Sequence, residues 1–306
     1  MKVFNSSNAA KTFCKKGVAL TIGNYDGVHL GHQDILKQLT KISHKLKLPS
    51  VVYTFNPHPV KVLSQKVAPQ LLQSIDQKKE LIQNKKIDAL IIEKFDKKFS
   101  HTTAQDFFKK ILIGKLNVKF IIVGYDFTFG AKRGGNQETL EQLCLANHIG
   151  FIIHPAYFLK ETLVSSSLIR KQLAAGEISM VNKLLGRNYF LDGLVVSGDK
   201  RGQALGFPTA NIETDQELVP QVGVYKTVTQ VGQKKYPSIT NIGYSPTFGK
   251  NPLRVETHLI GKKMDLYGKK IRVFFIARIR NEKKFASKKA LIAQIKSDIK
   301  HALKNK

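Results

Sequence analysis

Tryptophan is absent from this 306-residue chain, cysteine occurs twice, and acidic side chains number 22 against 50 lysines and arginines. Cys14 and Cys144 alone build neither a disulfide framework nor a cysteine-based zinc site. No apolar run approaches the length of a membrane span, and the opening MKVFNSSNAAKTFCKKG lacks the apolar centre of a secretory signal. The expected compartment is therefore the cytoplasm, with no membrane partner. The shortage of acids leaves a formal net charge of +28. Gathered in one stripe, such charge would point to a nucleic-acid or membrane surface. Here Lys far outnumbers Arg and is spread over the whole chain, which reads as compositional bias with no nucleic-acid partner. The field still draws in anionic substrates such as nucleotides.

What remains is 42% apolar and 24% charged, the balance of a soluble globular protein, and long enough for two domains. From about residue 18 to 180, short apolar runs alternate with helical periodicity. The runs are VALTIG (18–23), SVVYTF (50–55), IDALII (87–92), VKFIIVG (118–124) and GFIIHP (150–155); DILKQLTKISHKLK and AQDFFKKILIGKL read as helices. This alternation predicts an α/β domain, a parallel sheet with helices on both faces. Ligands then bind beyond the carboxyl ends of the strands, where GNYDGVHLGH, FNPHP, GYDFTFG and SSSLIR fall. After LLGRNYF (184–190) the text turns strand-like with hairpin punctuation, predicting an antiparallel barrel or sandwich closed by the amphipathic SKKALIAQIKSDIKHALK. The domains are expected at 1–183 and 184–306.

GNYDGVHLGH places His29 and His32 in the first turn of a helix that follows a strand and a Gly-rich turn. At i and i+3 they share a face. Unpaired N–H groups and the helix dipole make that end an anion site, and Gly31 permits close approach. Two imidazoles there can donate to phosphate oxygens and stabilise charge on a leaving phosphate. Read alone, HxxH is as readily a capping pair. A metal reading needs a third ligand, with His58 or Asp126 as the candidates.

In order along the chain stand TIGNYDGVHLGHQ, FNPHP, VGYDFTFG, SSSLIR, LGFPTANI, NIGYSPTFG, VETHLI, MDLYG and RNEKKFAS. Together they resemble the prokaryotic bifunctional riboflavin kinase/FMN adenylyltransferase family. HxGH followed by GFPTAN is highly specific, because two unrelated signatures coincide. The resemblance implies a Rossmann-like nucleotidylyltransferase domain that adenylylates FMN to FAD with release of pyrophosphate. A C-terminal barrel would phosphorylate riboflavin to FMN with ATP. It assigns ATP to Gly23, Asn24, Asp26, His29 and His32, with Ser165, Ser166, Ser167 and Arg170 as a phosphate clamp. Asn56, His58, Asp126 and Phe127 would line the flavin region.

In GFPTAN, Gly206 and Pro208 shape a tight loop, and Thr209 and Asn211 offer hard oxygens suited to Mg²⁺ beside ATP phosphates; the resemblance gives them that role. SGDKRGQALG would cover the nucleotide. Glu256, an outward strand residue if read alone, matches the family's VExH pattern and is the candidate base for the ribityl hydroxyl, adding to the flavin site. Departures from the family pattern occur at Tyr25, Asn56, Tyr125, Thr128, Gln203 and Gly261, and put efficiency and nucleotide affinity in question. A single-activity nucleotidylyltransferase leaves GFPTAN, VETHLI and DLYG unexplained. The remaining alternatives are a member with one activity lost, or a basic nucleic-acid-binding protein on the same scaffold.

Overall fold

Short apolar runs of the first half form one parallel sheet in a computed structural model that describes residues 1–63, 68–198, 202, 205–244 and 253–304. Its strands are β1 (Lys2–Phe4), β2 (Val18–Ile22), β3 (Ser50–Asn56), β4 (Ala89–Lys94), β5 (Val118–Gly124) and β6 (Gly150–His154). They lie in the order β1-β4-β3-β2-β5-β6. Every residue of the central β2 is buried, so both faces of the sheet are covered, as a parallel sheet requires. Helices α1 (Leu30–Leu46) and α2 (Ile75–Gln83) provide the crossovers that matter for the site. Ile35, Leu36, Leu39 and Ser43 form the buried stripe of α1. Cys14 and Cys144 are free and buried, and burial pushes their thiols up to about 11 and about 12, which leaves them inert as nucleophiles.

Two features depart from the sequence reading. Lys2–Phe4 pairs with β4 at the sheet edge, a three-residue strand too short for any periodicity. The run from Ala104 is helical through Ile113 but widens into a π-helix over Phe107–Ile113, with Gly114 N–H donating to Lys109 O and, in the turn that follows, Leu116 N–H to Ile111 O, both at 3.0 Å. The wider turn keeps Phe107, Phe108, Ile111 and Leu112 all buried in the core beside the sheet.

Contacts divide the chain into units Met1–Ser165 and Ser166–Lys306, so the second begins well before the change of texture at 184. The reason is α3 (Ser166–Ala174) and α4 (Ile178–Leu185), which belong with the barrel. Buried Ile178, Val181, Leu184 and Leu185 form the apolar face of α4. Its Asn182 donates to Phe275 O at 2.9 Å and accepts from Tyr189 N–H at 2.7 Å. Strand composition therefore marks where strands begin, and helix packing decides where the unit begins.

The barrel is closed and antiparallel, in the order β7 (Tyr189–Val196), β8 (Ala210–Glu213), β11 (Leu253–Leu259), β10 (Lys234–Tyr244), β9 (Gly223–Val231), β12 (Lys270–Arg280). The last helix, α5 (Lys288–Lys304), is tied to β12 by Arg280, which donates to the buried Asp298 carboxylate from Nε at 3.0 Å and Nη2 at 2.8 Å.

Inside the barrel lies a ring of five hydroxyls. Thr227 meets Ser238 at 2.8 Å, Ser238 meets Thr229 at 2.8 Å, and Thr229 meets Thr257 at 3.3 Å. Thr257 then meets Thr240 at 2.9 Å, and Thr240 returns to Thr227 at 2.8 Å. All five are 0–1% exposed. Each hydroxyl has one O–H to give and lone pairs to accept, so the cycle satisfies every member and its bonds reinforce one another. Thr240→Val keeps the shape and opens the ring at two bonds. The barrel should lose about 1–3 kcal/mol, the desolvation cost of buried hydroxyls left unsatisfied, measurable as a lower urea midpoint. A midpoint unchanged from wild type would show that the ring is not held cooperatively.

Candidate active site

In the first unit, β2 lies between β3 and β5, so Gly23–His32, Asn56–His58 and Asp126–Phe127 all leave neighbouring carboxyl ends of the sheet. His29 is the N-cap of α1, its backbone extended and its Nδ1 accepting the His32 N–H at 3.4 Å. Sequence spacing had placed His29 inside the first turn. Instead the chain enters the helix from a left-handed Val28, and the imidazole lone pair satisfies a helix-terminal N–H. The shared face survives: the rings stack with centroids 3.7 Å apart and 19° between planes. Because Nδ1 accepts, Nε2 of His29 is the donating nitrogen of its neutral ring. Gly31 sits where a Cβ would stand 3.2 Å from Tyr157 Cβ and 3.3 Å from His29 Cε1, so the close approach comes from the protein itself.

Asn24 is exposed, whereas Asp26 is 3% exposed and accepts the Leu72 N–H at 3.0 Å, a role in holding the loop. Tyr25 is buried, with its hydroxyl 2.7 Å from Thr21 Oγ1 and its ring 5.0 Å from that of His32. Burial raises the Tyr25 hydroxyl above the ordinary phenol range. Asn56, Asp126, Tyr125 and Thr128 are exposed at the rim, and His58 is half-buried. Phe127 stacks with Phe129 at 5.5 Å, and a line of rings continues through Phe107, Phe99 and Phe55. Of that wall the sequence reading named only Phe127. It also missed Lys78, a buried lysine whose Nζ donates to Asn24 O at 2.8 Å. Among the described residues no cluster of three or more His, Cys, Asp or Glu could hold a metal, which removes the metal reading of His58 and Asp126 there. Ser165 ends the first unit, and Ser166, Ser167 and Arg170 open α3 of the second.

In the second unit the register sets Glu256 of β11 opposite Asn211 of β8 and opposite Asn241 of β10. Directly opposed residues project to the same face. Thr257 faces the hydroxyl ring inside the barrel, so Glu256 and its amide neighbours project outward. His258 lies on that outer face and donates from Nδ1 to Pro208 O at 2.8 Å, pinning the loop that ends in Thr209 and Asn211. Gly206, at φ 87°, takes the left-handed turn that precedes it. A Cβ at Gly198 would collide with the Asn211 side chain, and one at Gly202 would stand 3.1 Å from Thr209 Oγ1. The Asn211 side chain thus lies against Gly198, and the Thr209 side chain against Gly202. Gln203 lies outside the described residues, as does much of NIGYSPTFG. Gly261 adopts φ 72°, a turn conformation glycine takes freely.

A parallel α/β unit with paired histidines at a helix start, joined to a closed barrel with a Thr–Asn loop beside a carboxylate, defines a two-unit nucleotide-using transferase. Residues 11–168 match the model of the FAD synthetase family and residues 185–305 that of the riboflavin kinase family. A bifunctional riboflavin kinase/FMN adenylyltransferase of Buchnera aphidicola (subsp. Schizaphis graminum) is 41% identical, over 92% of this chain and 91% of its own. Proteins of the same description from Escherichia coli K12 (36% identical, 97% and 96% covered) and Bacillus subtilis 168 (35%, 93% and 91%) agree. The chain belongs to the bifunctional riboflavin kinase/FMN adenylyltransferase family. A solved structure described as a macrolide-efflux protein from Streptococcus pneumoniae shares the fold, with TM-score 0.89 and 28% identity over 100% of both chains. Among the described residues no helix is long and apolar enough to cross a membrane.

Proposed function

We propose that the first unit transfers the adenylyl group of ATP to FMN at the His29–His32 loop, and that the second phosphorylates riboflavin beside Glu256. The observation that carries the first assignment is the stacked imidazole pair capping α1 at the carboxyl edge of β2. A phosphate oxygen of FMN attacks the α-phosphorus of ATP, the bond to the bridging oxygen breaks, and pyrophosphate leaves. The imidazole N–H groups and the N-terminal amides of α1 stabilise the charge that develops, without a covalent nucleophile. Gly23, Asn24 and Asp26 shape the ATP loop; the family resemblance gives Ser165, Ser166, Ser167 and Arg170 the role of a phosphate clamp, for which their hydroxyl and guanidinium donors are chemically suited. Asn56, His58, Asp126 and Phe127 border the flavin.

In the barrel, the ribityl 5′-hydroxyl attacks the γ-phosphorus of ATP, its proton passes to the Glu256 carboxylate, and ADP departs. Gly206 and Pro208 shape the nucleotide loop. The Thr209 hydroxyl and Asn211 carboxamide fit Mg²⁺, since both offer hard oxygens two residues apart and Asn211 stands opposite the Glu256 carboxylate. When bound, the ion would neutralise charge on the ATP phosphates. Buried free thiols accord with work in the cytoplasm. The test is chromatography of flavins after incubating the purified protein with riboflavin, ATP and Mg²⁺. FMN should accumulate first and then give way to FAD. FMN alone would mean that Asn56, Tyr125 and Thr128 have disabled the first site, and the absence of both products would overturn the reading.

A further inference from the structure

The loop Gly23–Val28 is held in a conformation that side chains resist. φ is 49° at Tyr25, 81° at Gly27 and 40° at the β-branched Val28. Such backbone persists only where its surroundings over-determine it. Much of that constraint comes from one segment, Leu72–Lys78, which runs into α2. Leu72 N–H donates to Asp26 Oδ1 at 3.0 Å, Gln73 Nε2 to Tyr25 O at 2.9 Å, and Lys78 Nζ to Asn24 O at 2.8 Å. Three consecutive loop residues are gripped together. Thr54 Oγ1 adds a longer bond to Asn24 O at 3.3 Å.

Lys78 is the anomalous member of this clamp. It is 6% exposed, and burial drives its pKa down to about 8 while the neighbouring Asp26 carboxylate opposes the shift. The unfolded chain binds that proton more tightly, so the residue costs stability at neutral pH, a cost that fades as pH rises past about 8. A neutral donor would satisfy one carbonyl more cheaply, and stability alone does not account for a dry ammonium here. What its position does offer is a strong, charge-assisted bond to the backbone that leads, within five residues, to His29.

We propose that Lys78 is a positioning residue for adenylyl transfer: its bond to the Asn24 carbonyl sets the path of the Gly23–Val28 loop and so places His29 and His32. This rests on the reading of that histidine pair as the adenylyl-transfer site. The test compares Lys78→Met, which keeps the stem and removes the charge, with Lys78→Gln, which keeps a neutral donor. Both are assayed in the full chain for FAD formation from FMN and, in the same preparation, for FMN formation from riboflavin. In Lys78→Met, kcat for FAD formation should fall about tenfold to a hundredfold, the effect of misplacing reacting groups by a fraction of an ångström to one ångström. KM for FMN and ATP should stay within about threefold, kinase turnover should be unchanged, and Lys78→Gln should recover part of kcat. Adenylyl transfer within about twofold of wild type, or a loss confined to KM, would overturn the proposal. Equal loss of both activities in both variants would also overturn it, making Lys78 a stability residue. His32→Ala run alongside separates the two claims. If that variant forms FAD normally, the site reading fails; if it is impaired while Lys78→Met is not, only the positioning role fails.

Discussion

His32→Ala is expected to lower FAD formation from FMN by about 10²–10³-fold, the usual effect of removing a donor aimed at developing charge, and to leave FMN formation from riboflavin untouched. The choice of His32 over His29 follows from the geometry. His29 holds two roles at once, because its Nδ1 caps α1 by accepting the His32 backbone N–H. Replacing His29 would remove the cap, worth about 1 kcal/mol, along with the ring, and the two effects would mix. The capping bond uses only the backbone of His32, so His32→Ala leaves the helix start in place and removes a half-buried imidazole from the stack. The loss should therefore appear in turnover and not in folding. Paired assays on one preparation, FAD from FMN and FMN from riboflavin, check it. A parallel fall in both would argue against two separate sites.

The residues that carry chemistry were legible in the sequence where their neighbours punctuate the chain. A glycine-rich turn after a five-residue apolar strand announced the histidine pair, and β-branched runs bounded by Gly, Pro and Asn announced the sheet. Glu256 was legible only through its resemblance to a motif, since an isolated strand glutamate carries no signal of its own. The structure adds the physical reason it stands out: cross-strand register sets it between Asn211 and Asn241. Lys78 was illegible for the opposite reason. In a chain with 50 lysines and arginines, one more lysine on an amphipathic helix reads as solvated surface. Its burial depends on where the loop after β2 falls, which no local pattern encodes. The hydroxyl ring did leave a trace. Thr227 and Thr229, like Ser238 and Thr240, stand two apart, the strand period that puts both on one face. Nothing in that trace says whether the face is wet or enclosed; barrel closure decides it. Likewise the membership of residues 166–185 is decided by what their apolar stripes pack against, which composition along the chain does not report.

Glu256→Gln should abolish most riboflavin kinase turnover, by about 10²–10⁴-fold, the range for a lost general base. The substitution is nearly isosteric, and strand alternation makes it clean. Val255 and Thr257 on either side are buried, Thr257 within the hydroxyl ring, while Glu256 projects to the other face, in register between Asn211 and Asn241. Neither the barrel core nor the Pro208–His258 bond that pins the nucleotide loop is disturbed. Riboflavin binding, followed by quenching of flavin fluorescence, should stay close to wild type, so the loss falls in kcat. FAD formation from supplied FMN should persist, because the first unit does not use this carboxylate. Unchanged kinase turnover would remove Glu256 from the reaction and shift attention to the other charged side chains of the outer barrel face. Lost binding with turnover preserved at saturation would make it a flavin-holding group instead of a base. The split between kcat and KM therefore decides which of the two roles the carboxylate plays.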